Sequence, residues 1–230
     1  MRRPLKRTTA VLALALTATF ALSACSPFGG AAPAPTPTVA LPTGTSGAAD
    51  FDAFSLVVGN GSTPVSVYLD PACPHCASLE DAAGETLAEL ATTGDIRYSI
   101  HPLTFMDRNS DSMYSSRAAS AMTCVAVEAS SSLTDFVAAV FENQSSQLDD
   151  AGLAELADGV GASAAADCIA DQTYVAWAQA GTAAALTGPI ADAEIEKVQG
   201  TPTILVSGRP YEGDITDVDE LRDFIASDGR

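Results

Sequence analysis

One stretch decides how the rest of the chain is interpreted: Val65-Ser66-Val67-Tyr68-Leu69-Asp70-Pro71-Ala72-Cys73-Pro74-His75-Cys76. Its first five residues alternate apolar and polar positions, which predicts a strand. Residues 77–91 then place apolar side chains at helical spacing, which predicts a helix. Cys73 would lie at the start of that helix, where the helix dipole and free N–H groups favour the thiolate. Cys76 follows one turn later, so the pair predicts a dithiol/disulfide redox centre.

The order of the other elements predicts the fold. In chain order they are a strand at 54–58, a strand at 96–103, a block of Ala-rich helices over about 109–188, strands at 201–206 and 209–211, and a closing helix at 217–226. This β-β-α-β, helical block, β-β-α order is typical of an α/β thioredoxin fold with an inserted α-helical subdomain. Such folds place a cis-proline opposite their two cysteines. We therefore expect Thr201 and Pro202 to form a substrate-facing loop.

The N-terminal residues have the pattern of an export signal. A basic segment at 2–7 precedes an apolar segment at 10–21 that is too short for a confident transmembrane helix. The following Leu22-Ser23-Ala24-Cys25 resembles the bacterial lipobox, in which the Cys is lipidated. We expect residues 1–24 to be a lipoprotein signal peptide and Cys25 to anchor the protein to the outer face of the cell membrane. An ordinary cleavage site and an uncleaved anchor are the alternatives.

Composition separates a tether from a folded domain. Residues 25–50 are Ala, Pro, Thr and Gly with almost no large apolar side chain, so we expect a disordered tether. The folded domain is expected over 51–230. Acidic residues outnumber basic ones 29 to 11, for a formal net charge of −18. Because such a surface repels polyanions, we expect no nucleic-acid partner.

Two cysteines remain once Cys25 is assigned to lipid and Cys73 and Cys76 to redox chemistry. Disulfides persist in exported proteins, so we expect Cys124 and Cys168 to form a structural bridge. Two separate buried thiols are the alternative. A zinc site would need a second C-x-x-C or an H-x-x-H spacing, which the sequence lacks. We expect no metal and no cofactor.

The tetrapeptide Cys73-Pro74-His75-Cys76 resembles the active-site motif of the DsbA-type disulfide oxidases. Residues 68–72 are similar to the same position in DsbA-like proteins of actinobacteria, and the resemblance covers most of residues 54–225. The other similar stretches are Ser115-Ser116-Arg117-Ala118, Met122-Thr123-Cys124-Val125, Asp167-Cys168-Ile169 and Gly200-Thr201-Pro202-Thr203.

The resemblance places all four residues of the motif, Pro74 included, in the catalytic site and implies a role for three of them. Cys73 is the attacking cysteine, Cys76 is the buried resolving one, and His75 stabilises the Cys73 thiolate. The implied activity is donation of disulfides to reduced or unfolded exported proteins, followed by reoxidation by a membrane partner. The helical insertion of this family often holds an internal disulfide, which supports the pairing of Cys124 with Cys168.

Two features depart from the pattern of the family. Many thioredoxin-fold enzymes carry a buried carboxylate where this chain has Val67, so the proton acceptor for Cys76 is unassigned, with Asp70 or water as candidates. Residues 188–200 are longer than the usual link into the cis-proline loop. Three alternatives stay open: a tethered reductase, a disulfide isomerase, and a non-catalytic surface lipoprotein that binds a ligand or metal.

Overall fold

The structure is a computed structural model that describes residues 40–230. Its centre is a seven-stranded mixed sheet. The strands are β1 (Thr45–Ser46), β2 (Ala49–Asp50), β3 (Ser55–Val58), β4 (Thr63–Leu69), β5 (Ile96–Pro102), β6 (Thr203–Val206) and β7 (Arg209–Pro210). Their order in the sheet is β1-β2-β3-β5-β4-β6-β7. Strand β4 is parallel to β5 and antiparallel to β6, and β3 is antiparallel to β5.

The helices occupy three places in the chain. Between β4 and β5, a π-helical turn (Glu80–Gly84) joins α1 (Pro74–Leu79) and α2 (Glu85–Thr93) into one continuous helix, which Gly94 ends in the left-handed conformation. The insertion between β5 and β6 contains α3 (Tyr114–Glu128), α4 (Leu133–Glu142), α5 (Asp150–Gly159), α6 (Ala166–Ala170) and α7 (Val175–Thr187), and α8 (Val218–Ala226) closes the chain. The predicted thioredoxin-like fold with a helical insertion is confirmed.

Strand β4, which precedes the two cysteines, buries side chains on both of its faces. Val65, Val67 and Leu69 belong to the main hydrophobic core, whereas Tyr68 belongs to a smaller cluster on the opposite side. This alternation follows from the strand geometry, in which successive side chains point to opposite faces. The smaller cluster also includes Leu205 of β6, so it lies over the centre of the sheet.

The segment between α7 and β6 covers this second face of the sheet. Val198 is part of the smaller cluster, and Ile190 and Ile195 pack against it. The N–H of Val198 donates to the carbonyl of Ala185 at 2.9 Å, which ties the segment to α7. The extra length of residues 188–200 therefore supplies apolar cover for a sheet face that would otherwise meet water.

Residues 45–50 differ from the prediction, which placed them in the disordered tether. They form β1 and β2, which extend the sheet, and Ala49 is 1 % exposed. The N–H of Ala48 donates to the carbonyl of Ala126 in α3 at 2.7 Å. Gly47 has a φ of +55°, and a Cβ there would overlap the same carbonyl. The prediction was wrong because small side chains can lie against a helix without the large apolar groups that reveal a core segment.

The predicted signal peptide, the lipidation site Cys25 and residues 25–39 of the tether lie outside the described residues. Among residues 40–230, no helix is both long enough and apolar enough to cross a membrane.

Candidate active site

The junction between β4 and α1 positions the two cysteines. The carbonyl of Asp70 accepts a hydrogen bond from the N–H of Cys73 at 2.9 Å, which closes the turn after β4. Cys73 is the N-cap of α1, and Pro74 follows in the first turn, where a missing N–H costs nothing. The carbonyl of Cys73 accepts from the N–H of Cys76 at 3.0 Å. The Cys73 side chain therefore lies at the N-terminus of the long helix, as the sequence predicts.

Both thiols are free and buried, and each has a backbone partner. Cys73 is 5 % exposed and Cys76 is 1 % exposed, so Cys73 is the more accessible of the two. The Cys73 thiol lies 3.4 Å from the carbonyl oxygen of Thr201. The N–H of Asp70 donates to the sulfur of Cys76 at 3.4 Å.

The surroundings move the pKa values of the two thiols in opposite directions. A hydrogen bond from the Cys76 thiol, helped by Thr201 and the N–H groups of His75 and Cys76, lowers the pKa of Cys73 to about 5 in spite of burial. Burial, together with the neighbouring Cys73, raises the pKa of Cys76 far above its usual range. At neutral pH the pair therefore holds one thiolate, on Cys73, and one thiol, on Cys76.

The start of β6 brings Thr201 and Pro202 to the cysteines. Thr203, the first residue of β6, pairs with Tyr68 of β4. The chain just before β6 therefore meets the loop just after β4. The Thr201–Pro202 peptide bond is cis, and both residues are half-buried. The structure thus brings the two cysteines and this loop together in one site.

His75 and Pro74 lie on the outer side of this site. Both side chains are exposed. The contribution of His75 to the low pKa of Cys73 comes from its backbone N–H. The predicted role of His75 is therefore carried in this structure by its position in the first helical turn.

Asp70 ties three segments together beneath the site. Its carboxylate accepts hydrogen bonds from the Ser115 hydroxyl at 2.6 Å, from the N–H of Ala72 at 2.8 Å and from the N–H of Met106 at 2.8 Å. Asp70 is fully buried, and burial raises its pKa although the three hydrogen bonds act in the opposite direction. The carboxylate thereby joins the loop before Cys73 to the segment after β5 and to α3.

Gln144, in the helical insertion, holds the loop that carries the reactive cysteine. Its side-chain amide donates to the carbonyl of Pro71 at 2.8 Å and to the carbonyl of Cys73 at 3.0 Å. Nothing in the sequence marks this Gln, because it lies 71 residues from Cys73. The sequence marks Ser115 only as part of a stretch similar to the family and gives it no role of its own.

The other two cysteines form a disulfide inside the helical insertion. Cys124 of α3 and Cys168 of α6 are joined with an S–S distance of 2.01 Å and a Cα–Cα distance of 5.7 Å. Cys124 is completely buried. Within residues 40–230, no group of three or more His, Cys, Asp or Glu side chains is arranged to hold a metal ion.

A thiolate at a helix start, facing a cis-proline loop on a sheet of this order, defines the class of thioredoxin-fold proteins with a dithiol centre. The family profile described as Thioredoxin matches residues 53–227, and the chain belongs to this family. A search of curated proteins found no match.

Solved structures place the chain close to the DsbA-like proteins. Reduced DsbA from Mycobacterium tuberculosis is 28 % identical with a TM-score of 0.60, over 76 % of this chain and 99 % of that chain. Reduced DsbG, a disulfide bond oxidoreductase from the same organism, is 29 % identical with a TM-score of 0.59, over 76 % of this chain and 92 % of that chain.

MdbA, a thiol-disulfide oxidoreductase from Corynebacterium diphtheriae, has the same fold at 19 % identity, with a TM-score of 0.65 over 81 % of this chain and 95 % of that chain. The resemblance to DsbA-like thiol:disulfide oxidoreductases is confirmed.

Proposed function

We propose that this chain is a thiol:disulfide oxidase that donates the disulfide of Cys73 and Cys76 to reduced proteins. The observation that carries the proposal is the position of the Cys73 sulfur, at the N-terminus of the long helix and 3.4 Å from the carbonyl oxygen of Thr201 in the facing loop. The hydrogen-bond donors around this sulfur lower the pKa of Cys73 to about 5. A stabilised thiolate favours the reduced dithiol over the disulfide. The disulfide is for that reason the stronger oxidant.

The proposed reaction has two exchanges. A substrate thiolate attacks the sulfur of Cys73 in the oxidised pair, the bond to Cys76 breaks, and a mixed disulfide forms. Cys76 leaves and takes up a proton. A second substrate thiolate then attacks the substrate sulfur of the mixed disulfide, and Cys73 leaves as a thiolate, which its low pKa favours. The substrate loses two electrons, and the enzyme gains them.

The proposed substrates are reduced or unfolded exported proteins with an extended segment next to two thiols. The Thr201–Pro202 loop supports this choice because it lies directly beside the reactive sulfur. A backbone that docks along this loop would hold its own cysteine near Cys73. Such recognition reads the backbone, so one enzyme would serve many clients.

Export and anchoring are part of the proposal and rest on the N-terminal sequence. Residues 1–24 would direct export, Cys25 would carry the lipid, and the residues up to about 44 would form the tether. An enzyme that gives away its disulfide must be reoxidised, so we also propose a membrane partner that accepts its electrons. This arrangement would keep donor and partner on the outer face of the same membrane.

The deciding experiment is the reduction potential of the Cys73–Cys76 pair, measured by equilibration in glutathione buffers. An oxidase is expected at about −120 mV, whereas a reductase would lie at about −270 mV, as in thioredoxin. A value at the lower end would overturn the proposal in favour of a reductase. A pair that does not exchange with glutathione at all would indicate a binding protein that kept only the fold.

A further inference from the structure

The loop between β4 and α1 has few N–H groups with which to fix its own backbone. Pro71 and Pro74 have no N–H, so the peptide groups that precede them can be held only through their carbonyl oxygens. Cys73 lies between these prolines and is the N-cap of α1, with a φ of −80° and a ψ of 120°. The ψ angle of Cys73 sets the direction of its carbonyl group, and therefore the direction in which the helix leaves the reactive sulfur.

Asp70 holds one side of this loop. Its backbone carbonyl accepts a hydrogen bond from the N–H of Cys73 at 2.9 Å, and its carboxylate accepts from the N–H of Ala72 at 2.8 Å. The same carboxylate accepts from the hydroxyl of Ser115 in α3 at 2.6 Å. This side of the loop is therefore tied to the first helix of the insertion.

Gln144 holds the other side. Its side-chain amide nitrogen carries two N–H donors and lies 2.8 Å from the carbonyl oxygen of Pro71 and 3.0 Å from that of Cys73. The carbonyl oxygen of Cys73 also accepts from the N–H groups of Cys76 and Ala77, at 3.0 Å and 3.2 Å. Gln144 therefore binds the active-site helix at the carbonyl group where its first turn begins.

The backbone that carries Gln144 is fixed by its own hydrogen bonds. Gln144 begins a short 3-10 turn just after α4, and α4 buries one face in the main core. The side-chain amide of Asn143 donates back to the carbonyl of Ala139 in α4 at 2.9 Å. The N–H of Gln147 donates to the carbonyl of Gln144 at 3.1 Å. The insertion thus presents the Gln144 amide to the loop from an anchored turn.

The direction of the Cys73 carbonyl group matters for the charge on the sulfur. The N–H groups of His75 and Cys76, in the first turn of α1, help to lower the pKa of Cys73. They can do so while Cys73 keeps the N-cap conformation, in which a side chain turns back toward the first free N–H groups of its helix. The sulfur also lies 3.4 Å from the carbonyl oxygen of Thr201. A rotation of the backbone at Cys73 would therefore move the sulfur relative to both sets of groups.

We propose that Gln144 is a positioning residue of the dithiol, which fixes the carbonyl groups of Pro71 and Cys73 and thereby raises the reduction potential of the Cys73–Cys76 pair. This inference rests on the proposed oxidase function and adds a role for the helical insertion in it. Through one amide, the insertion holds the reactive sulfur where backbone N–H groups stabilise its negative charge. A stabilised thiolate favours the reduced pair, so the disulfide is the stronger oxidant.

The test uses the full chain with Cys25→Ser in every variant, so that the dithiol supplies its free thiols. Gln144→Met keeps the length of the side chain and removes both donors. Gln144→Asn keeps an amide on a stem one methylene shorter, and it decides the question alone if Gln144→Met does not fold. Gln179→Met is the control, because Gln179 is an exposed residue of α7 whose amide donates to a hydroxyl within the insertion.

Two properties of the dithiol are measured for each protein. The ultraviolet absorbance of the thiolate, followed against pH, gives the pKa of Cys73, and equilibration with glutathione buffers gives the reduction potential. Urea unfolding is recorded in parallel. A residue that only stabilises the fold would lower the urea midpoint and leave the pKa and the potential unchanged.

The expected result is specific to position 144. Gln144→Met raises the pKa of Cys73 and lowers the equilibrium constant for reduction of the disulfide by glutathione about tenfold, a fall of about 30 mV in potential. Gln144→Asn shifts both quantities in the same direction by a smaller amount, and Gln179→Met matches the parent. Parent values in the folded Gln144 variants would overturn the assignment, and so would an equal shift in Gln179→Met.

The parent protein tests the proposed function separately. A parent potential at about −270 mV would contradict the oxidase function. The difference between the parent and the Gln144 variants would still show whether Gln144 sets the potential of the dithiol, because each variant is compared with the parent and not with an absolute value.

Discussion

The chain holds two pairs of cysteines in opposite environments. Cys73 and Cys76 are separated by two residues in one helical turn and remain free thiols. Cys124 and Cys168 are separated by 44 positions, come from two helices of the insertion, and are joined. The first pair has backbone donors aimed at its sulfurs and a loop facing it, whereas the second is packed against the helical core.

The difference shows what makes a cysteine pair reactive. Closing a short ring removes little freedom from the unfolded chain, so the pair in the helix turn can open and close at small cost. Closing a long ring removes much more, so the pair in the insertion stabilises the fold as long as it stays closed. Hydrogen-bond donors that stabilise the thiolate of Cys73 then make the Cys73–Cys76 disulfide easy to reduce, so this pair can accept two electrons and pass them on.

The largest effect should come from Cys73→Ser. Loss of the attacking sulfur is expected to reduce oxidation of a reduced two-cysteine peptide by at least about 10³-fold, because the Cys73–Cys76 disulfide that is donated can no longer form. Peptide oxidation followed by mass spectrometry checks this. The double variant Cys124→Ala/Cys168→Ala, assayed well below its melting temperature, should retain the parent's rate. Equal losses in the two variants would show that the redox reaction also requires the Cys124–Cys168 disulfide, and would contradict a purely structural role for it.

The second prediction concerns the stability that the Cys124–Cys168 disulfide contributes. Cys124→Ala/Cys168→Ala is expected to lower the free energy of unfolding by about 4 kcal/mol, from the chain-entropy cost of opening a ring of this length. Urea unfolding gives the number, with Cys73→Ala/Cys76→Ala as the matched control, for which we expect a loss below about 1 kcal/mol relative to the reduced parent. A larger loss in the control would mean that the dithiol also holds the fold together.

The third prediction concerns the helix that carries the dithiol, whose contribution to the stability of the protein should depend on pH. Burial raises the pKa of Glu80 to about 7 in the folded protein, so the folded state binds the proton more tightly than the unfolded state. Stability from this group is complete below its usual pKa and is lost as pH rises through about 7. Glu80→Gln should therefore be more stable than the parent at pH 8, by about 2 kcal/mol, and equal to it at pH 4.

Thermal unfolding at the two pH values measures this difference. Asp135→Asn serves as the control, because Asp135 of α4 lines the same groove as Glu80 but is exposed. A Glu80→Gln variant that is less stable than the parent at pH 8 would mean that a partner compensates the buried carboxylate.

The smallest effect tests how the insertion supports the dithiol. Gln144→Ala removes the amide that holds the carbonyls of Pro71 and Cys73 and should cost about 1 kcal/mol. Gln179→Ala, which removes one hydrogen bond to the Ser116 hydroxyl at an exposed position, should cost less than about 0.5 kcal/mol. Urea unfolding of the reduced proteins distinguishes them. Equal costs would show that the insertion does not brace the reactive loop.

Much of the site was predictable because its signals are local or paired. The tetrapeptide after a strand predicts the dithiol, and Thr201-Pro202 before a late strand predicts the loop that faces it. Gln144 and Ser115 were not predictable, since each acts through a hydrogen bond set by tertiary packing. The tether boundary was also placed wrongly, because Gly47, Ala48 and Ala49 resemble a spacer in composition and differ from one only in what they pack against.

The close approach of Gly47 to α3 has a consequence for related sequences. A Cβ at position 47 would overlap the backbone carbonyl of Ala126, and the φ of +55° is one that residues with side chains rarely adopt. Relatives that pack β1 and β2 against this helix should therefore have glycine at the equivalent position. Relatives with a larger residue there should begin their sheet only at β3.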